Sequence, residues 1–553
     1  MLDQLRHSRA LSHSLSDRDN VKTAHAIRLG LRIPILKGHH RIADMIRDTI
    51  RCNNQAFYSL LVKIVLYAVI SNECYGNSFR EVSWRLSGQQ KDDKFRFNSR
   101  DSNKSIAAGY SLLSCFHSQH SSHPYRFEEF LSGQLTTQSM RMHRIWWSNR
   151  RAKYPLGLFT HLSLNRIHML EAQCRSYPRG LVAAVVWVPL VMDARKLTEA
   201  WEEQQPNSPK HLSPAHLATL RTASGMLSSL FHRMELSGAD GISDWDAGTN
   251  SSDITSSACT LRLMLVYEMV GDGQMAVLMP VNALRNIAML AVDTPLAAMV
   301  DVDLSFSWSL AGHVMSNRTR VADLELRAKR DRTGWVIPAW DVDKKIKFSS
   351  QNHVADEMLA VRPESKMVLK DMWLRREEIL PFASDRYVQG HNRTNFMLWF
   401  QSQAEYPIDF EEGYEPWFFS ARKYLPLYDA RFRGHYYDKI SNVRNTVYNK
   451  ILNLVVISDV WLIHRPHKVS AQNNLFSQAA ATRSVSPLDQ IVQVNGTSVE
   501  PRKVYLDFAL ALYKEVVYAM NENRYTPVVQ SSVRHCRQID VARCPKQGFR
   551  SLT

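Results

Sequence analysis

From Tyr154 onward the chain alternates short apolar runs with stretches of helical spacing. LGLFTHL (156–162) is apolar almost throughout and predicts a buried strand. In the following SLNRIHMLEAQCRSY, Leu164, Ile167, Leu170 and Cys174 recur at helical spacing, with Ser163 placed to cap the helix. LVAAVVWV (181–188) is a continuous, β-branched run, which suits a strand covered on both faces. Strand, helix, strand in this order predicts a parallel βαβ unit. Residues 196–258 interrupt the pattern. They are rich in Ser, Gln, Pro, Asp and Gly, carry helical material around His216 to Met234, and read as an insertion or long surface excursion. The pattern resumes with the apolar run LRLMLVYEMV, the helix PVNALRNIAMLAV with Pro280 in its first turn, and the strand-like LAAMV. That strand runs directly into Asp301-Val302-Asp303. Open α/β sheets bind ligands outside the carboxyl ends of their strands, so these two carboxylates stand where a site belongs.

The N-terminal part reads differently. Residues 1–55 are basic with little sustained periodicity. Residues 56–72 open with AFYSLLVKIVLYAVIS, the longest apolar run, which is a little short for a spanning helix and carries Lys63 near its centre. Basic residues before it fit a signal anchor with a cytoplasmic N-terminus, and a buried or amphipathic helix is the alternative. Residues 73–150 read as a stem that ends in RMHRIWWSNRRAK, with an RNA or membrane patch as the other reading. An α/β domain is expected over 151–525, with its insertion at about 196–258, and a tail over 526–553.

The 553 residues are 45% hydrophobic and 10% aromatic, which excludes a disordered chain. The net charge of +16 raises nucleic acid, an anionic membrane or an anionic substrate as partners. No helix-turn-helix, zinc-finger or RNA-recognition signature accompanies it, and Arg and Lys are dispersed, so no nucleic acid is expected. Seven cysteines at irregular spacing exclude a dense disulfide framework or a zinc ribbon; one or two disulfides are compatible, Cys536 and Cys544 being the closest pair. Five Asn-x-Ser/Thr triplets begin at Asn103, Asn250, Asn317, Asn392 and Asn495.

Several residue patterns carry chemistry. On an extended segment Asp301 and Asp303 project to one side, where two like charges call for a compensating cation such as Mn²⁺ or Mg²⁺. His464 ends the apolar run VVISDVWLIH, and His467 adds a second imidazole across Pro466, which forbids a helical His pair. Asn282, Arg285 and Asn286 share one helix face, either to hold an anionic ligand or as a solvated stripe. Glu415, Asp429 and Asp438 lie among aromatics in EEGYEPWFFS, YLPLYDARF and GHYYDKI, as a proton acceptor or as partners of Arg431 and Lys439.

Taken in order, PVNALRN, LAAMVDVDLSF, VIPAWD, NRTNFMLWF, YEPWFF, YDARF and WLIHRPH resemble the LARGE-type glycosyltransferases, glycosyltransferase family 49, over roughly Tyr154 to Ser470. The resemblance implies an α/β fold of the glycosyltransferase A type, Rossmann-like, behind an N-terminal anchor and stem. It implies Mn²⁺ (or Mg²⁺) on Asp301, Asp303 and His464, and a UDP-sugar near Thr160, Asn282, Arg285 and Asn286. Glu415 matches an acidic residue of a Glu-Pro-aromatic motif and is the first choice for general base or acceptor binding; Asp438 is the second. UDP-glucuronate is the implied donor and a glycan or glycoprotein the implied acceptor, at a Golgi membrane in a single-pass type II protein. Leu304 replaces the usual bulky aromatic after the second Asp, the 196–258 segment is longer, and GHYYDK departs from the family pattern, which puts acceptor identity in question. Two rivals are carried: a catalytically inactive relative that binds glycan or nucleotide, and a basic nucleic-acid-binding protein.

Overall fold

A computed structural model describes residues 102–117, 126–132, 140–192, 212–237, 258–467, 491–494 and 496–537, all in one compact unit. Among them the strands are β1 Met140–Trp147, β2 Leu156–Ser163, β3 Leu181–Val191, β4 Thr260–Val270, β5 Leu296–Met299, β6 Leu304–Phe306, β7 Thr333–Ile337, β8 Ala339–Val342, β9 Ile379–Pro381, β10 Tyr406–Pro407, β11 Trp417–Ala421, β12 Asn453–Val456, β13 Leu462–His464, β14 Val492–Val494 and β15 Thr497–Val499. The helices that matter here are α1 Ser102–His117, α2 Ile167–Ser176, α3 Pro214–Leu236, α4 Val281–Leu290, α5 Arg318–Arg330, α6 Phe396–Gln401, α7 Asp438–Val447, α8 Pro501–Asn521 and α9 Ser531–Cys536.

The fold is mixed α/β. One nine-stranded sheet has the order β1-β4-β3-β2-β5-β11-β7-β12-β10, and a four-stranded sheet the order β6-β13-β8-β9. In the large sheet β2, β3, β4 and β5 are parallel neighbours, as the βαβ pattern predicts. The chain moves outward from β2 through β3 to β4, then returns to place β5 on the other side of β2. That reversal opens a crevice at the carboxyl ends of β2 and β5, the place where open sheets hold ligands. β3 and β4 are buried on both faces, which is why their sequences are apolar runs and do not alternate.

Two local expectations are revised, and the helical material expected around His216 to Met234 is present. The helix after β2 begins at Ile167, behind a 3₁₀ turn at Leu164–Arg166, because the Ser163 hydroxyl bonds the Asn165 side chain and caps no backbone N–H. The Arg/Trp stretch at 140–147 forms an edge strand antiparallel to β4, Met140 opposite Glu268 and Trp147 opposite Arg262. Within 196–258, residues 214–236 form a 23-residue helix capped by Ser213 and packed on β4 and β1. Cys536 pairs with Cys115 across 421 residues, where α9 packs on α1, and Cys174 pairs with Cys259. Proximity in sequence to Cys544, which lies outside the described residues, did not decide the pairing.

The single-pass type II Golgi assignment is corrected. Among the described residues no helix is long and apolar enough to cross a membrane. The segment on which the assignment rested, 56–72, lies outside the described residues.

Candidate active site

Register between the two sheets brings the first cluster together. In the small sheet His464 pairs with Leu304 on β6 and with Asp341 on β8. Asp303, one residue before Leu304, therefore stands beside His464. After β13 the chain turns at Pro466 and folds His467 back. The His467 Nε2 lies 3.1 Å from Asp303 Oδ2, the His464 Nε2 lies 3.5 Å from the same oxygen, and the two Nε2 atoms are 3.0 Å apart. Asp303, His464 and His467 can present one ligand atom each to a single metal ion. His464 Nδ1–H donates to Asp341 Oδ1 at 2.8 Å, an arrangement that fixes the tautomer leaving Nε2 toward the cluster. Burial opposes charge on His464, but Asp303 and Asp341 outweigh it and lift its pKa to about 9. Burial likewise disfavours the Asp303 carboxylate, yet the two imidazoles hold its pKa well below the usual range.

Asp301 has a separate set of partners. Residues 301–304 form a turn, closed by the Leu304 N–H on the Asp301 carbonyl at 3.1 Å, so the Asp-x-Asp stretch is not extended. The fully buried Gln173 on α2 fixes the turn, its Nε2 donating to the carbonyls of Asp301 and Leu304 at 2.9 and 3.1 Å. Asp301 Oδ2 accepts from Lys439 Nζ at 3.2 Å and from Trp417 Nε1 at 3.1 Å; Oδ1 faces Arg285 at 3.4 Å. Against the burial that disfavours its charge, Lys439 and Arg285 keep the Asp301 carboxyl far below its ordinary pKa. Asp301 thus faces two cations, and Asp303 faces two imidazoles.

α4 is buried at every position, packed on β2 and β3. Asn282 and Asn286 form neither a solvated stripe nor an open ligand face. Asn282 Nδ2 donates to the carbonyls of Asp429 and Asp438, and the Asn286 amide both donates to and accepts from the Tyr428 backbone. Arg285 donates to Asp438 Oδ2 at 2.6 Å and to Asn282 Oδ1 at 2.8 Å. Thr160 is fully buried in mid-strand, on the opposite face of β2 from His161. His161, which the sequence did not single out, is the β2 side chain on the site's side: burial and then Arg285 lower its pKa to about 4, against Asp301, Asp438 and Asp303.

The acidic residues downstream divide by partner. Asp429 is held by Arg431 at 2.8 Å and by the Tyr525 hydroxyl at 3.2 Å. Asp438, first residue of α7, is held by Arg285. Glu415 has its nearest titratable partners at longer range, His391 Nε2 at 3.9 Å and Lys439 Nζ at 4.0 Å from Oε1, and of the two only Lys439 carries charge, burial holding the His391 pKa well below its ordinary value. Burial raises its pKa; Lys439 pulls it down, Asp438 and Asp301 push it up, and the result is about 7. A carboxylate with that pKa can both accept and release a proton near neutrality.

The segment before Asp438 is held rigidly. Tyr436 and Tyr437 adopt left-handed backbone conformations, φ 82° and 61°, which non-glycine residues rarely take. Tyr505 on α8 donates to the carbonyls of Arg433 and His435, and Tyr437 stacks on Tyr513. Arg433 forms a fully buried two-pronged ion pair with Glu268 on β4, at 2.8 and 2.9 Å. Such strain persists only where the surroundings enforce it, and it clusters at functional sites.

A carboxylate and two imidazoles able to share one ion, a paired acid–cation group and a titratable carboxylate meet at the sheet's switch point, an arrangement suited to transferring a group from a phosphorylated donor. The class is that of the glycosyltransferases. Residues 155–492 match the model of the family described as glycosyl-transferase for dystroglycan, and the chain belongs to that family, glycosyltransferase family 49. Similar proteins include the xylosyl- and glucuronyltransferase LARGE2 of Rattus norvegicus, 27% identical over 64% of this chain and 41% of that protein. LARGE2 of Homo sapiens is 27% identical over 60% of this chain and 35% of its own length, and human LARGE1 25% identical over 40% and 25%. The chain thus spans less than half the length of these relatives.

Proposed function

We propose that this chain is a metal-dependent, inverting glycosyltransferase of the A-type fold that moves glucuronic acid from UDP-glucuronate to a glycan acceptor. The observation that carries the reading is the convergence of Asp303, His464 and His467, with a carboxylate of pKa about 7 on the same side of the fold. Two imidazoles and one carboxylate form a donor set that suits a first-row ion such as Mn²⁺ better than Mg²⁺, which favours oxygen. A bound ion would neutralise charge on the departing diphosphate. Asp341 orients His464 for that role. Asp301 joins the ligands only if Lys439 and Trp417 release it.

The residues of this chain do the rest. Glu415 takes the proton of the acceptor hydroxyl as the oxygen attacks the sugar's anomeric carbon from the face opposite UDP. The C–O bond to the acceptor forms as the bond to the diphosphate breaks, inverting the centre. Arg285 and Lys439, paired here with Asp438 and Asp301, are the buried cations that a donor carboxylate would compete for; the relatives are named for xylose and glucuronic acid, and the proposal takes the latter. Asp438 positions Arg285. Thr160, Asn282 and Asn286 shape the floor of the donor crevice from within.

The test is UDP release from a panel of UDP-sugars, with Mn²⁺ or EDTA, by the full chain and by Asp303→Ala. Release with UDP-glucuronate, dependent on Mn²⁺ and lost in the variant, is expected. No release and no transfer with any donor and a panel of glycan acceptors, from folded protein, would favour an inactive binding relative.

A further inference from the structure

We propose that Arg166 is a preformed anchor for the diphosphate of the donor, and that it holds this diphosphate without help from a metal ion. The inference rests on the donor being a nucleotide-sugar.

Arg166 is a buried charge without a partner. It is 8% exposed, and among the described residues its guanidinium makes no hydrogen bond and no ion pair. The other arginines buried to that degree among the described residues each hold a carboxylate: Arg262 holds Asp293, Arg285 holds Asp438, Arg433 holds Glu268 and Arg444 holds Glu412. A guanidinium keeps its charge at any ordinary pH, so leaving one buried and unpaired is costly and calls for an anion. Burial lowers its pKa and the Asp303 carboxylate opposes this, but Asp303 stands beyond ion-pair distance. The unpartnered nitrogens are not sealed inside the protein, so a ligand can reach them.

Position says which anion. β2 ends at Ser163, and Arg166 closes the 3₁₀ turn that leads into α2. It therefore stands at the carboxyl end of β2, beside the switch point of the sheet. Asp303 acts electrostatically on Arg166, and Arg166 and His467 both act on His168, so the guanidinium flanks the cluster of Asp303 and the two imidazoles. α2 adds to the positive field. Its first turn has no side-chain cap and no acidic residue, the condition in which a helix N-terminus receives an anion. The planar fork of a guanidinium matches two phosphate oxygens. Arg285 and Lys439 already hold Asp438 and Asp301, so an anion arriving there must displace a carboxylate; at Arg166 it displaces none.

The test is calorimetric titration of the full chain, wild type and Arg166→Gln, with uridine, UDP, UDP-xylose and UDP-glucuronate, each in EDTA and in Mn²⁺. The wild type is expected to bind UDP in EDTA at least about tenfold more tightly than uridine. Arg166→Gln is expected to lose about 10- to 100-fold in affinity for UDP and for both UDP-sugars, the scale of hydrogen bonds to a charged group, with uridine unchanged within about twofold. Arg166→Lys, which keeps the charge and loses the fork, should fall between the two. Without ligand the Gln variant should melt at or above the wild type, since it loses an unpaired buried charge; a lower melting temperature would mark Arg166 as structural and overturn the proposal. So would a folded Gln variant with wild-type UDP affinity, or UDP binding by the wild type that appears only with Mn²⁺. A loss confined to UDP-glucuronate would overturn it too, by putting the guanidinium on the sugar's carboxylate. A wild type that binds no uridine nucleotide in either condition would instead sink the donor reading, a separate failure.

Discussion

Replacing Glu415 with Gln separates activity from stability in one variant. Burial, opposed by Lys439 and assisted by Asp438 and Asp301, lifts this carboxyl from 4.5 to about 7. Between those values the native state keeps a proton that the unfolded chain has released, so stability falls as pH rises across the window. The full gap corresponds to roughly 3 kcal/mol, present as a deficit above pH 7 and absent below pH 4.5. Gln carries no such deficit: its melting temperature above pH 7 should exceed the wild type's, and its stability should be flatter across the window. Activity should move the other way. Wild-type transfer should rise with pH to a midpoint near 7, and the variant should lose on the order of 10²–10⁴ in kcat, the scale of general-base catalysis. The assays are thermal melts at pH 4.5, 6 and 8 and UDP release from pH 5 to 9. A variant that keeps wild-type kcat, or one no more stable than wild type at pH 8, would refute the reasoning.

Two further predictions follow from the partners of the site. Asp341→Asn leaves the His464 tautomer unsecured and should weaken Mn²⁺ binding by about 10–100-fold, read by titration calorimetry. Arg433→Met strands Glu268 as a buried unpaired carboxylate and should cost about 3–5 kcal/mol in denaturant unfolding, with loss of the backbone geometry leading to Asp438.

The strands of the sheet core were legible because they are buried on both faces, and a run such as LVAAVVWV has few other uses. Asp301 and Asp303 were legible as a pair because they follow such a strand. Their division of partners was not, since it depends on the turn closed by Leu304 and on Lys439, 138 residues away from Asp301. His467 was set aside because Pro466 forbids a helix, and the same proline lets the chain fold back to place the ring beside Asp303. The spacing of Asn282, Arg285 and Asn286 gave a face of α4 but not what covers it; the 428–438 segment does. Asp341 and His391 sit on short elements without periodicity, and only strand register and ring packing bring them to the site. A sequence signal for Asp341 existed in VIPAWD, an acid after an apolar run, as Asp301 follows LAAMV.

The central claim is that Asp303, His464 and His467 together hold the ion on which transfer depends. The most direct measurement is Mn²⁺-dependent UDP release from UDP-glucuronate by His467→Ala beside the wild type, across a Mn²⁺ titration. The account predicts Mn²⁺-dependent release by the wild type, and a variant that needs far more Mn²⁺ or shows no release while remaining folded. A variant with the wild-type Mn²⁺ requirement and rate would contradict it.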